Sequence, residues 1–198
     1  MLRRSEPRRD GSRGIAALLL GVGLLLITAD AFALRSGPRR TRAVEMVVIH
    51  STGGPTCDPQ TGQLVWIGAG ALAEDLRNIE AHPQLGVHYM IDRDGTVRSS
   101  VPEDRVAHHV FHFSEQSIGI ELVNDGDGRD PFPEPQLEAL VKLLRGIVQR
   151  QGIPRTGIRR HSDLDHGHLT CAPTQLRKVD PGDAFPLAKV INSVFGAR

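Results

Sequence analysis

Aromatic residues are scarce in this 198-residue chain: they make up 4%, with one tryptophan and one tyrosine. Charge of one sign is not in excess either. Lysine and arginine number 24 against 23 aspartates and glutamates, a net of +1, so no global field draws in nucleic acid. No internal repeat is visible, which argues against a solenoid. Cysteine is limited to Cys57 and Cys171. The longest apolar run, Ile15 to Thr28, falls short of the roughly 20 residues a membrane-spanning helix needs, and Asp30 interrupts its continuation. What remains is a chain of the size of one domain plus a short extension, with 39% hydrophobic residues to build its core.

The charges that are present are unevenly placed. Arg3, Arg4, Arg8, Arg9 and Arg13 precede the apolar run "IAALLLGVGLLLIT", and "ADAFA" follows with A-x-A spacing at Ala29/Ala31 and Ala31/Ala33. A basic flank, a short apolar core and then small residues form the pattern of an export signal. A cleaved signal is the first reading and an uncleaved inner-membrane anchor the second. In either case the flanking arginines keep the N-terminus cytoplasmic and send the body outward, to the periplasm or cell envelope. No cysteine follows the run, which argues against a lipid-attached N-terminus. Residues 1–33 are thus assigned to the signal or anchor, 34–42 to an arginine-rich linker and 43–198 to the folded domain. In an oxidising compartment Cys57 and Cys171 are candidates to pair; the alternative is two independent thiols.

Along the body, "AVEMVVIH" (43–50) reads as a buried strand, and the Gly, Pro and Asp content of the segment 51–63 as a loop. Leu72, Leu76 and Ile79 give helical spacing within 69–82. Residues 86–101 read as two strands around a tight turn at Asp94-Gly95. "SIGIELV" (117–123) is another strand. "PEPQLEALVKLLRGIVQRQG" (133–152) is the clearest helix, with one apolar stripe and Gly152 as its stop. "GIRR" leads as a short strand into His161, and 183–195 reads as a last helix. Mixed strands and helices predict a single α/β domain with one central sheet.

Two histidines stand where a strand gives way to a loop, His50 and His161. A catalytic zinc takes three N, S or O ligands and keeps one position for water, so two histidines and a downstream carboxylate suffice. Asp163, Asp165, Asp180 and Asp183 are the candidates. Asp180 stands out in "KVDPG", where proline restricts its backbone and Gly182 permits a sharp turn. Glu121 lies inside an apolar strand, on the face opposite Ile118, Ile120 and Leu122. A lone carboxylate there is costly unless a cation is near. The cluster His108, His109 and His112 in "HHVFH" is a weaker alternative metal site, lacking a carboxylate or thiolate partner.

The segments "VVIHST", "HYMIDRDGTV", "SIGIELVN", "RRHSDLD" and "KVDPG" occur, in this order, as in the zinc-dependent N-acetylmuramoyl-L-alanine amidases. That family is related to peptidoglycan recognition proteins and amidase-type phage lysozymes. The resemblance covers about His50 to Phe185. It implies a mixed central β-sheet flanked by helices, with zinc (Zn2+) in a surface groove held by His50, His161 and Asp180. Glu121 and Lys178 take the catalytic roles, and His109 and His88 fall to substrate binding. Cys171 is a rival third ligand, since some members use cysteine, though it does not follow the lysine as theirs does. A tyrosine that some members carry is Val87 here, which shifts weight to Glu121. The implied activity is hydrolysis of the bond between N-acetylmuramic acid and L-alanine in peptidoglycan or muropeptides, by a monomer that touches membrane only through an uncleaved N-terminus. A non-catalytic peptidoglycan-binding module of the same fold is the alternative, and a metal-delivery protein using the extra histidines a third; the latter leaves Glu121 and Lys178 without a role.

Overall fold

The β-branched run Val47, Val48 and Ile49 has no solvent-facing side chain, and it forms an interior strand of the sheet. In this computed structural model, residues 37–82 and 85–197 are described. The expected export signal, residues 1–33, lies outside them. In chain order the elements are β1 (Met46–Ser51), β2 (Gly54–Cys57), β3 (Leu64–Ile67), α1 (Leu72–Ala81), β4 (Tyr89–Ile91), β5 (Val97–Ser99), β6 (Ser117–Leu122), α2 (Glu134–Gln151), β7 (Ile158–Arg160) and α3 (Leu187–Phe195).

The main sheet has the order β5-β4-β6-β1-β7. Strand β1 pairs in parallel with β6 and β7, β6 in parallel with β4, and β4 antiparallel with β5. Side chains alternate across the sheet. One face carries Val47, Ile49, Ile118, Ile120 and Leu122, packed against Leu137, Leu140, Leu144 and Ile147 of α2 and Val190 of α3. Each of those α2 residues contributes roughly 1.5–3 kcal/mol by leaving water. The helix stops where predicted, with Gly152 at φ 68°, a conformation glycine adopts without a side-chain penalty. On the other face α1 sets Leu72 and Leu76 against Met90 and Val123. It covers only part of that face, and the uncovered part carries polar side chains.

Two boundaries differ from the sequence reading. The segment after β1 was expected to be a loop, yet β2 and β3 form an antiparallel hairpin. Its turn is organised by Asp58, whose Oδ1 accepts hydrogen bonds from the backbone N–H of Gln60 and Thr61, and by Gly62 at φ 67°. Both strands are four residues long and mostly outside the core, so no apolar alternation marks them. The linker assignment of 34–42 is also corrected for its described residues. Val106 donates its N–H to the Pro38 carbonyl. Arg40 donates to the carbonyls of Glu103, Ser114, Glu115 and Ser117. Residues 38–42 are therefore part of the domain.

Candidate active site

Register brings the polar residues together. His50 on β1 lies opposite Glu121 on β6, so both project from the face that α1 leaves open. On the other side of β1, Ile49 pairs with Arg160, which puts the next residue, His161, beside His50. A short 3-10 turn over His161–Asp163 starts there. Asp180 reaches the same point from the "KVDPG" turn, anchored by the Ser162 N–H on its carbonyl. Gly182 turns the chain at φ 87°, where a side chain would also press on the Gly126–Gly128 backbone.

The three side chains converge. His50 Nδ1 is 2.9 Å from His161 Nδ1 and 3.2 Å from Asp180 Oδ2, and His161 Nδ1 is 3.0 Å from the same oxygen. All three residues are buried. A tetrahedral ion with bonds near 2.0–2.1 Å has donor–donor edges of about 3.3 Å, so the spacing and the nitrogen–nitrogen–oxygen donor set fit zinc. Among the described residues this is the one group of three with metal-ligand spacing. Burial, and then the neighbouring His161, push the His50 imidazole down to about 4, keeping it neutral and able to ligate. Burial alone would raise the Asp180 carboxyl, but the two imidazoles beside it outweigh that and hold it far below the usual carboxylate range.

Glu121 Oε2 lies 3.9 Å from His50 Nδ1. Burial, reinforced by the Asp180 charge and opposed by Lys178, pushes the Glu121 carboxyl up to about 8. Lys178 is exposed on the rim of the cleft. The cleft has a volume of about 410 Å³ and is floored by His50, Glu121, His161 and Asp180. Cys57 and Cys171 form a disulfide, Cα–Cα 5.9 Å, which ties β2 to the loop between His161 and Asp180. That removes Cys171 as the third ligand, because a disulfide sulfur offers no thiolate. Asp163 and Asp165 are engaged by Arg160 and Arg177, and Asp183 lies exposed.

The two histidines expected to bind substrate differ in their placement. His88 has no accessible surface. Its Nδ1 accepts the Gly119 N–H at 2.9 Å and its Nε2 lies 3.1 Å from the Arg105 carbonyl, so it braces the sheet and cannot reach a ligand. His109 does border the cleft. Both its nitrogens are taken, Nδ1 by His50 at 3.0 Å and Nε2 by Ser117 at 3.2 Å. His108 and His112 are exposed and do not join a metal cluster. No motif in the sequence marks Ser117, Asp75 or Arg177 as part of the site. Asp75 projects from α1 into the cleft but looks like an ordinary first-turn acid. Arg177 pairs with Asp165 at 2.8 Å, stands 5.5 Å over the Phe111 ring and lines the rim; its place next to Lys178 was the available signal.

The sequence profile of the N-acetylmuramoyl-L-alanine amidase family matches residues 40–183. The chain belongs to that family. The match starts at the Arg40 that the fold ties into the domain, and it ends just after the Asp180 turn. Over 113 residues the chain is 35% identical to the 1,6-anhydro-N-acetylmuramyl-L-alanine amidase AmpD of Enterobacter cloacae, covering 53% of this chain and 54% of that relative. The chain thus spans about half the length of the curated relatives it matches. The solved complex of the amidase AmiD from E. coli with anhydro-N-acetylmuramic acid-L-Ala-D-gamma-Glu-L-Lys is 25% identical. It superposes with a TM-score of 0.59 over 83% of this chain and 61% of that one. Drosophila PGRP-LB, 19% identical with a TM-score of 0.54 over 82% of this chain and 88% of that one, shares the fold.

Proposed function

We propose that this amidase-family chain is an exported, zinc-dependent hydrolase that cleaves the amide between the lactyl group of N-acetylmuramic acid and L-alanine. The observation that carries the reading is the convergence of His50, His161 and Asp180 at 2.9–3.2 Å on the floor of an open cleft, with Glu121 beside them. Zinc held there supplies a Lewis acid for the carbonyl and an acidified water. Glu121, facing the same point, takes a proton from the attacking water and returns it to the nitrogen as the carbon–nitrogen bond breaks. Lys178 on the rim offsets the negative charge that builds on the carbonyl oxygen. The products are a free lactyl carboxylate and a peptide with L-alanine at its N-terminus.

Anhydro-muropeptides are the first substrate class to test, since the AmpD relative is named for one and the AmiD structure holds one. The Cys57–Cys171 disulfide suits an oxidising compartment outside the inner membrane, in keeping with the export pattern of residues 1–33. Asp180→Ala is the test of the metal centre. It should lose both bound zinc and amide cleavage while keeping its secondary structure. Cleavage at the wild-type rate without zinc would refute the reading. Fusion of residues 1–33 to a reporter enzyme active only outside the inner membrane tests export, and a silent reporter would count against it.

A further inference from the structure

A chain of hydrogen bonds leads from the backbone into the metal site, and one end of it is unambiguous. The Phe113 carbonyl can only accept, so the Ser117 hydroxyl donates to it, at 2.7 Å. Its proton committed, Ser117 Oγ accepts from His109 Nε2–H at 3.2 Å. A neutral imidazole carries one N–H, and in His109 the contact with Ser117 places it on Nε2. His109 Nδ1 is therefore the acceptor, and it takes the proton of His50 Nε2 at 3.0 Å. His50 is left with a bare Nδ1 lone pair, aimed at the point it shares with His161 Nδ1 and Asp180 Oδ2.

The surroundings hold this chain in place. The His109 backbone N–H donates to Ser114 Oγ at 3.2 Å, and that hydroxyl donates to the Val110 carbonyl at 2.7 Å. Gly119 makes room for the ring, since a Cβ there would lie 2.5 Å from His109 Cγ. Ser117, Gly119 and Glu121 alternate onto one face of β6. The serine anchors His109, the glycine admits it, and the glutamate faces the metal site.

The geometry points to Ser117 and His109 as positioning residues that lock His50 in the tautomer able to ligate a metal ion. This assignment rests on the metal-centre reading above, and its test separates the two. Zinc affinity of the full chain is measured by competition with a chromophoric chelator. In parallel, nitrogen NMR of the metal-free protein labelled at histidine reads which ring nitrogen of His50 carries the proton. Wild-type protein should show His50 protonated at Nε2. Ser117→Ala and His109→Ala should each weaken zinc binding by about 10–100-fold, as losses of a ligand's hydrogen-bond partner do, with circular dichroism unchanged. His109→Asn places an amide oxygen near the lost Nδ1 and should recover most of the affinity, which a role in packing alone would not predict. In Ser117→Ala the His50 tautomers should mix. Protonation of wild-type His50 at Nδ1, or zinc affinity within about twofold of wild type in both alanine variants, overturns the assignment. A wild-type chain that takes up no zinc overturns the metal-centre reading, and the NMR result still decides the relay.

Discussion

Exchanging Glu121 for glutamine keeps its shape and removes its proton acceptor. The variant should bind zinc as wild type does and lose amide cleavage by about 10²–10⁴-fold. Metal content and product release on one preparation check it, and full activity would remove Glu121 from the mechanism. The same side chain makes a second, opposite prediction for the metal-free protein. Folding raises its carboxyl from an ordinary 4.5 to about 8. Between those values the folded state binds more protons than the unfolded one, so this group's contribution to stability falls as pH rises from about 4.5 to 8. Glu121→Gln should therefore raise the melting temperature of the metal-free protein, and by more at pH 8 than at pH 5. An equal shift at both values would contradict the buried, proton-holding environment. Lys178 should be separable from the ligands: Lys178→Ala keeps zinc and loses about 10²–10³-fold in rate if it acts as an oxyanion partner.

At the scale of elements, β6 combines packing and chemistry by strict alternation. Ile118, Ile120 and Leu122 fill the core on one face, while Ser117, Gly119 and Glu121 build the site on the other. Gly119→Ala would press a methyl group against the His109 ring. It should cost about 1–3 kcal/mol, as overpacking does, and weaken zinc binding, measured by thermal melts and chelator competition. The disulfide works on a different element pair. Removing it with Cys57→Ser and Cys171→Ser should cost about 2–5 kcal/mol, since it closes a long loop, and added reductant should do the same to wild type. The long periodic elements were legible in the sequence: β1, β6, α2 with its glycine stop, and the turn at Gly95. The β2–β3 hairpin was not, because its short strands bury little and so show no period-two pattern. The family resemblance points to His88 and His109 for substrate binding. Their bonds to Gly119, His50 and Ser117 arise from strand register, which no local pattern in the chain encodes.

Over the whole molecule, the sheet sets a sealed core on one face against an open cleft on the other, and the chain's first described residues are tied by hydrogen bonds to the segment 103–117. Arg40 donates to four backbone carbonyls, including that of Ser117. A chain starting at residue 43 loses all of those donors. It should be less stable than one starting at residue 34, by about 1–3 kcal/mol for each carbonyl left buried and unpaired, and Arg40→Ala in the longer chain should reproduce much of the loss. Equal denaturation midpoints for the two lengths would return residues 38–42 to the status of a linker. Function at this scale comes down to which bond is cut. Purified anhydro-muropeptides and intact peptidoglycan, incubated with the zinc-loaded chain and with the chelator-treated chain, give products whose ends mass spectrometry identifies. The expected result is release of stem peptides beginning at L-alanine from muramic acid bearing a free lactyl carboxylate, abolished by the chelator and restored by zinc. Intact substrate under both conditions, or cleavage at another bond, would contradict the amidase reading of this site.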